Sequence, residues 1–178
     1  MPQRRPLAFA ALALIAVALT GCAQPAKQAR PSPTPTPLFA TDADALAAAT
    51  KAYARYLQVT EEVLKDGGRD ADRLRAVATG EQLKAELAGF RSAQKNDWTG
   101  SGAQTFSGLV DLKFRPNGKV QVQLCENDSQ VEIIGKDGGS VISETRRPST
   151  LYVVRFVKSA SSPNLVVSFR EPISDEPC

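Results

Sequence analysis

Few side chains in this sequence of 178 residues could do covalent or proton-transfer chemistry, and the thiols of Cys22, Cys125 and Cys178 lead them. There is no histidine. That removes the commonest general base, the usual partner of a nucleophilic Ser or Cys, and the commonest neutral metal ligand. Hydrolase and zinc readings lose their main support. The carboxylates of the first half sit among opposite charges, as in Glu61 with Lys65 and Asp72 with Arg75, which is the pattern of a solvated helix face. No catalytic residue, metal ligand or cofactor is expected.

Position gives Cys22 its meaning. Arg4 and Arg5 precede an unbroken apolar run from Leu7 to Leu19, the charged and apolar regions of an export signal. As a helix that run would rise about 20 Å, short of the roughly 30 Å hydrocarbon core that a spanning helix must cross. Leu19-Thr20-Gly21-Cys22 resembles the lipobox of bacterial lipoproteins. The resemblance implies a diacylglycerol in thioether linkage to the Cys22 sulfur, cleavage between Gly21 and Cys22, and a mature chain held on the extracytoplasmic face of the cell membrane. Two acyl chains anchor stably where one holds only marginally, because burial gains roughly 0.8 kcal/mol per CH₂. An ordinary secretory signal with an incidental Cys is the alternative. Arg4-Arg5 also resembles, more distantly, a twin-arginine signal.

Three segments follow: a lipoprotein signal over 1–21, a Pro/Thr-rich tether over 22–38, and a single globular domain over 39–178. The formal charge of +3 falls to +1 when Arg4 and Arg5 leave with the signal. So small a charge, with no basic stripe, argues against nucleic acid as a partner. With Cys22 given to lipid, the lipobox resemblance implies that Cys125 and Cys178 meet in an oxidising compartment and form a disulfide. Reactive thiols are the alternative, disfavoured without a His or a Cys-x-x-Cys spacing. Pro31-Ser32-Pro33-Thr34-Pro35-Thr36-Pro37 favours polyproline II, and the sixteen residues from Ala23 to Leu38 would reach up to about 50 Å from a membrane.

In the globular part, Thr41 with Asp44 marks a helix start, and Leu46, Ala49, Tyr53, Tyr56, Thr60 and Val63 recur at helical spacing. Gly67-Gly68 stops that helix. Thr79 with Gln82 predicts a capping box for a later helix whose stripe is Leu83, Leu87 and Phe90. After Gly100-Ser101-Gly102 the period becomes two. Phe106, Gly108, Val110, Leu112 and Phe114 predict the buried face of a strand, Pro116-Asn117-Gly118-Lys119 a hairpin, and Val120, Val122 and Leu124 the buried face of its return. Further strands are expected over 130–134, 151–158 and 164–170. Helices followed by an antiparallel sheet give an α+β domain with helices laid over one sheet face.

That order, with Tyr53-Ala54-Arg55-Tyr56, Val120 to Asp128, Pro148 to Val154 and the closing Glu176-Pro177-Cys178, is similar to the nuclear transport factor 2-like, or cystatin-like, cone found in lipoproteins of high-GC Gram-positive bacteria. The resemblance implies N-terminal helices on a curved antiparallel sheet of about four to six strands. Enzymes on this fold work inside the cone, where ketosteroid isomerase combines an Asp base with oxyanion donors. Tyr53, Tyr56 and Trp98 are the candidate cavity-lining residues. No carboxylate is expected to point inward, Asp111 belonging to a polar strand face and Asp128 to a turn. The expected function is a non-enzymatic, membrane-tethered domain that binds an envelope protein across its sheet, through Leu109, Tyr152 and Phe156, or a small apolar molecule in its cone. A small isomerase or cyclase is the alternative.

Overall fold

The computed structural model describes residues 38–114, 118–173 and 178, all within one compact unit, Thr34–Cys178. The expected export signal, Cys22 and the expected tether up to Pro37 lie outside the described residues. So do Pro116 and Asn117 of the expected hairpin turn.

Helix α1 runs Asp42–Lys65 and starts as its sequence dictates. Thr41 accepts from the Asp44 backbone N–H while the Asp44 carboxylate accepts from the Thr41 N–H, so two otherwise orphaned donors are satisfied. The stripe Ala49, Tyr53, Tyr56, Thr60 and Val63 is buried. Gly67 and Gly68 then take positive φ and end the helix. At Gly68 a Cβ would fall 2.2 Å from the Phe90 carbonyl oxygen, so the close approach of this turn to the backbone at Phe90 requires glycine. A 3₁₀ helix, Ala71–Ala76, buries Leu74 and leads to α2, Gly80–Lys95.

Six strands follow: β1 Thr99–Ser101, β2 Thr105–Phe114, β3 Val120–Asn127, β4 Glu132–Ile134, β5 Ser149–Lys158 and β6 Leu165–Pro172. β1 and β4 form a two-stranded sheet; the other four form an open antiparallel sheet in the order β2-β3-β5-β6. The α+β layout expected from the sequence is the one observed. The edge of β6 is bridged at Val167 by Val77–Thr79, through backbone hydrogen bonds of 2.8 and 2.9 Å.

The inner sheet face carries Val120, Val122 and Leu124 on β3 and Val154 and Phe156 on β5, all buried against the α1 stripe. β2 departs from the expected alternation. Gly108 and Asp111 take positive φ at two register shifts, so the inward residues become Phe106, Leu109 and Leu112 while Val110 is 55% exposed. Each bulge adds a residue without a partner, and the period of two restarts out of phase. The expected outer apolar patch is not there: the bulges turn Leu109 inward, and the regular β3–β5 register sets Tyr152 and Phe156 opposite the inward Leu124 and Val120. Phe156 is fully buried, and Leu109 and Tyr152 pack against the core.

Cys125, on the outer face of β3, has its sulfur at bonding distance from that of Cys178, tying a central strand to the last residue.

Candidate functional site

Beyond Leu124 the inward alternation of β3 continues for one more step, and the residue there is Glu126. It is fully buried. A carboxylate in that position must be met by cations or donors, because burying an unpaired charge is costly. Its partners converge from three distant segments. The Tyr53 hydroxyl from α1 donates to Oε2, the Arg170 guanidinium from β6 pairs with Oε1, and the Gln104 amide reaches Oε1 at 3.3 Å. Arg170 also donates from Nε to the Tyr53 hydroxyl at 3.0 Å and stacks over the Tyr152 ring at 3.6 Å. Phe106 and Phe156 set their edges against the Tyr53 ring, with centroids 5.1 and 6.3 Å away. The absence of an inward carboxylate, expected from the sequence, is therefore corrected.

Burial pushes the Glu126 carboxyl above its ordinary range, with Arg170 and the Tyr53 hydroxyl pulling it back. Burial likewise holds the Tyr53 and Tyr56 hydroxyls well above the usual tyrosine value. Both phenols are thus neutral donors. For Arg170, burial works against the charge, but Tyr53 and Glu126 outweigh it and the guanidinium stays cationic.

One turn along α1 a second polar group forms. The Tyr56 hydroxyl donates to Glu86 of α2 and accepts from the Gln82 amide at 2.9 Å, while the same amide reaches Glu86 at 2.7 Å. This overturns the capping box expected from Thr79 and Gln82. Thr79 makes no side-chain cap bond, and Gln82 is buried in the inter-helix network instead. A side chain that can satisfy a buried hydroxyl and a carboxylate is worth more there than at an exposed helix start.

Tyr56 and Glu86 open onto a cavity of about 370 Å³. Its walls come from α1 (Leu57, Thr60, Leu64), from α2 (Gly89, Phe90, Ala93), from Trp98, and from the far side through Gln104, Asp128, Val131, Ile133, Arg146 and Arg170. The size lies within the range of small-molecule sites, and the mixture of apolar wall with a few polar groups is their usual chemistry. Of the expected lining residues, Tyr56 and Trp98 are in the wall. Tyr53 is buried behind it and serves the Glu126 cluster. At Gly89, midway along α2, a Cβ would meet nothing within 4 Å. Among the described residues there is no group of His, Cys, Asp and Glu arranged to hold a metal, and no helix long and apolar enough to cross a membrane.

Sequence reasoning missed Glu126, Arg170, Glu86 and Arg146. For Glu126 the signal was present, since Val120, Val122 and Leu124 point to it at a spacing of two. For Glu86 the helical spacing Gln82, Glu86, Phe90 was legible. Arg170 had none, because its own strand carries an extra residue at Ser168, between the partners of Arg155 and Phe156, that shifts the register.

No family model matches the sequence, and no curated protein matches it. Among solved structures, the fold is similar to that of the intermembrane-space region of the chloroplast protein ARC6, with a TM-score of 0.55 at 7% identity, over 73% of this chain and 97% of that one. At that identity the likeness shows the fold alone, helices packed on an open antiparallel sheet.

Proposed function

We propose that the protein is a lipid-anchored, extracytoplasmic binding module whose cavity takes a small, mainly apolar molecule. The observation that carries this reading is the cavity itself, open between two helices and the sheet where the core would otherwise close. Gly89 of α2 lies in the wall with room beside it for a larger side chain, since a Cβ there would meet nothing within 4 Å. Anchoring rests on the lipobox-like Leu19 to Cys22. The module would then meet its ligand at or near a membrane surface.

The test has two arms. Mass spectrometry of small molecules carried through purification from the native envelope should find a ligand on the wild-type protein and none on Gly89→Phe, whose ring would fill the cavity. Equal content in both proteins would refute the site. Cys22→Ser should release the protein to the medium, and persistent tight membrane association would refute the anchor.

A small isomerase or cyclase is the second reading, favoured by the Tyr56 hydroxyl and Glu86 carboxylate sharing one cavity wall. A neutral phenol beside a carboxylate is the pairing that proton abstraction next to a carbonyl uses. Recovery of the bound molecule chemically unchanged after prolonged incubation would remove that reading and leave the first.

A further inference from the structure

Of the three carboxylates in the cavity wall, Glu61 pairs with Lys65, whereas Glu86 and Asp128 are met only by neutral donors among the described residues. Glu86 accepts from the Tyr56 hydroxyl and the Gln82 amide, and Asp128 accepts at Oδ1 from the Gln104 amide at 2.8 Å. Neither forms an ion pair among the described residues. The wall's two arginines, by contrast, are engaged by the protein. Arg170 is matched by the buried Glu126, and Arg146, which donates to the backbone carbonyls of Asp128 and Val131 at 3.0 and 2.9 Å, is one cation on neutral acceptors against two such carboxylates.

This asymmetry selects the occupant. A molecule that fills the cavity displaces the water that solvates Glu86 and Asp128. A neutral or anionic occupant leaves those charges desolvated with nothing in return, and that is costly. A cation replaces the lost solvation with direct charge pairing. The apolar side of the wall suits the rest of such a molecule, since Phe90, Trp98 and Tyr56 offer ring surfaces that attract cations as well as hydrocarbon. Resting on the reading of this cavity as a small-molecule site, we infer that its ligand is an organic ammonium ion on an apolar body. The ammonium group lies toward Glu86 and Asp128, and the body against Phe90 and Trp98.

Trp98 is the only tryptophan in the chain and stands in the wall, so its fluorescence reports occupancy directly. The full-length protein is titrated at neutral pH with a matched phenylalkyl amine, alcohol and carboxylate of equal chain length. The amine should bind at least about tenfold more tightly than the alcohol, with the carboxylate weakest, and added salt should weaken the amine alone. Glu86→Gln and Asp128→Asn should each bring the amine several-fold toward the alcohol. The alcohol should bind as tightly or more tightly, because the carboxylate's desolvation cost is gone, and its binding certifies a folded cavity in each variant. Equal or tighter binding of the alcohol or carboxylate overturns this inference and leaves the cavity reading standing, as does an amine preference that survives in the double variant. Failure of all three compounds to bind overturns both.

Discussion

Replacing Arg170 with Met should destabilise the protein by about 3–5 kcal/mol at neutral pH, the usual consequence of stranding one member of a buried ion pair. Glu126 is 0% exposed, and the Arg170 side chain that meets its charge is 18% exposed. An independent route reaches a similar figure. A stranded carboxyl escapes its desolvation by taking up a proton, and holding it protonated at pH 7 against a reference near 4.3 costs about 3.7 kcal/mol. That route also gives the sign with pH. A carboxyl whose folded pKa lies above its unfolded value contributes stability fully present below the unfolded pKa, and that stability is lost as pH rises through the folded one. The loss caused by Arg170→Met should therefore shrink to about 1 kcal/mol near pH 5, apart from about 1 kcal/mol for the missing contact with the Tyr152 ring. Urea unfolding of the disulfide-intact protein at pH 5 and pH 7 measures both values. Adding Glu126→Gln to Arg170→Met should recover part of the loss at pH 7, since a neutral amide still accepts from the Tyr53 hydroxyl. A penalty below about 1 kcal/mol at pH 7, or one identical at the two pH values, would refute the buried-charge account.

The three tyrosines of the chain, Tyr53, Tyr56 and Tyr152, all have hydroxyl pKa values raised, burial being the leading cause. Phenolate absorbance of the native protein should thus lag behind that of the unfolded chain as pH rises through about 10 and appear together with loss of the fold; a native titration superimposing on the unfolded one would contradict the burial. Reducing the Cys125–Cys178 bridge, whose partners are 53 positions apart, should lower stability by up to about 4 kcal/mol through loop-closure entropy, measured as a shift in urea midpoint; an unchanged midpoint would show that the bridge constrains nothing. Gly89→Ala should raise stability by about 0.5–1 kcal/mol, since its Cβ meets open space in a helix interior, and a thermal melt that falls instead would mean that the cavity mouth does not tolerate a methyl group.

Local chemistry announced much of this fold. The α1 stripe and the Thr41–Asp44 box depend only on neighbours within a turn or two; the box stands as read, and so does the stripe except that its first member, Leu46, is only partly buried. The inward set Val120, Val122 and Leu124 likewise follows from a period that strand geometry imposes. What pattern alone left open was what lies opposite each face. Two bulges at Gly108 and Asp111 turned Val110 out and Leu109 in, because positive φ and an extra residue reset the alternation. Gln82, a capping residue by spacing, was drawn into the contact between helices because Tyr56 and Glu86 needed a donor there. Glu126 is the sharpest case. Its position was readable from Leu124, but whether a carboxylate can remain there depends on Arg170, 44 residues away, and on Tyr53, 73 residues away. Periodicity assigns a side chain to a face, whereas only the folded chain brings distant charges together, and the cavity beside them is a property of that assembly and of no single segment.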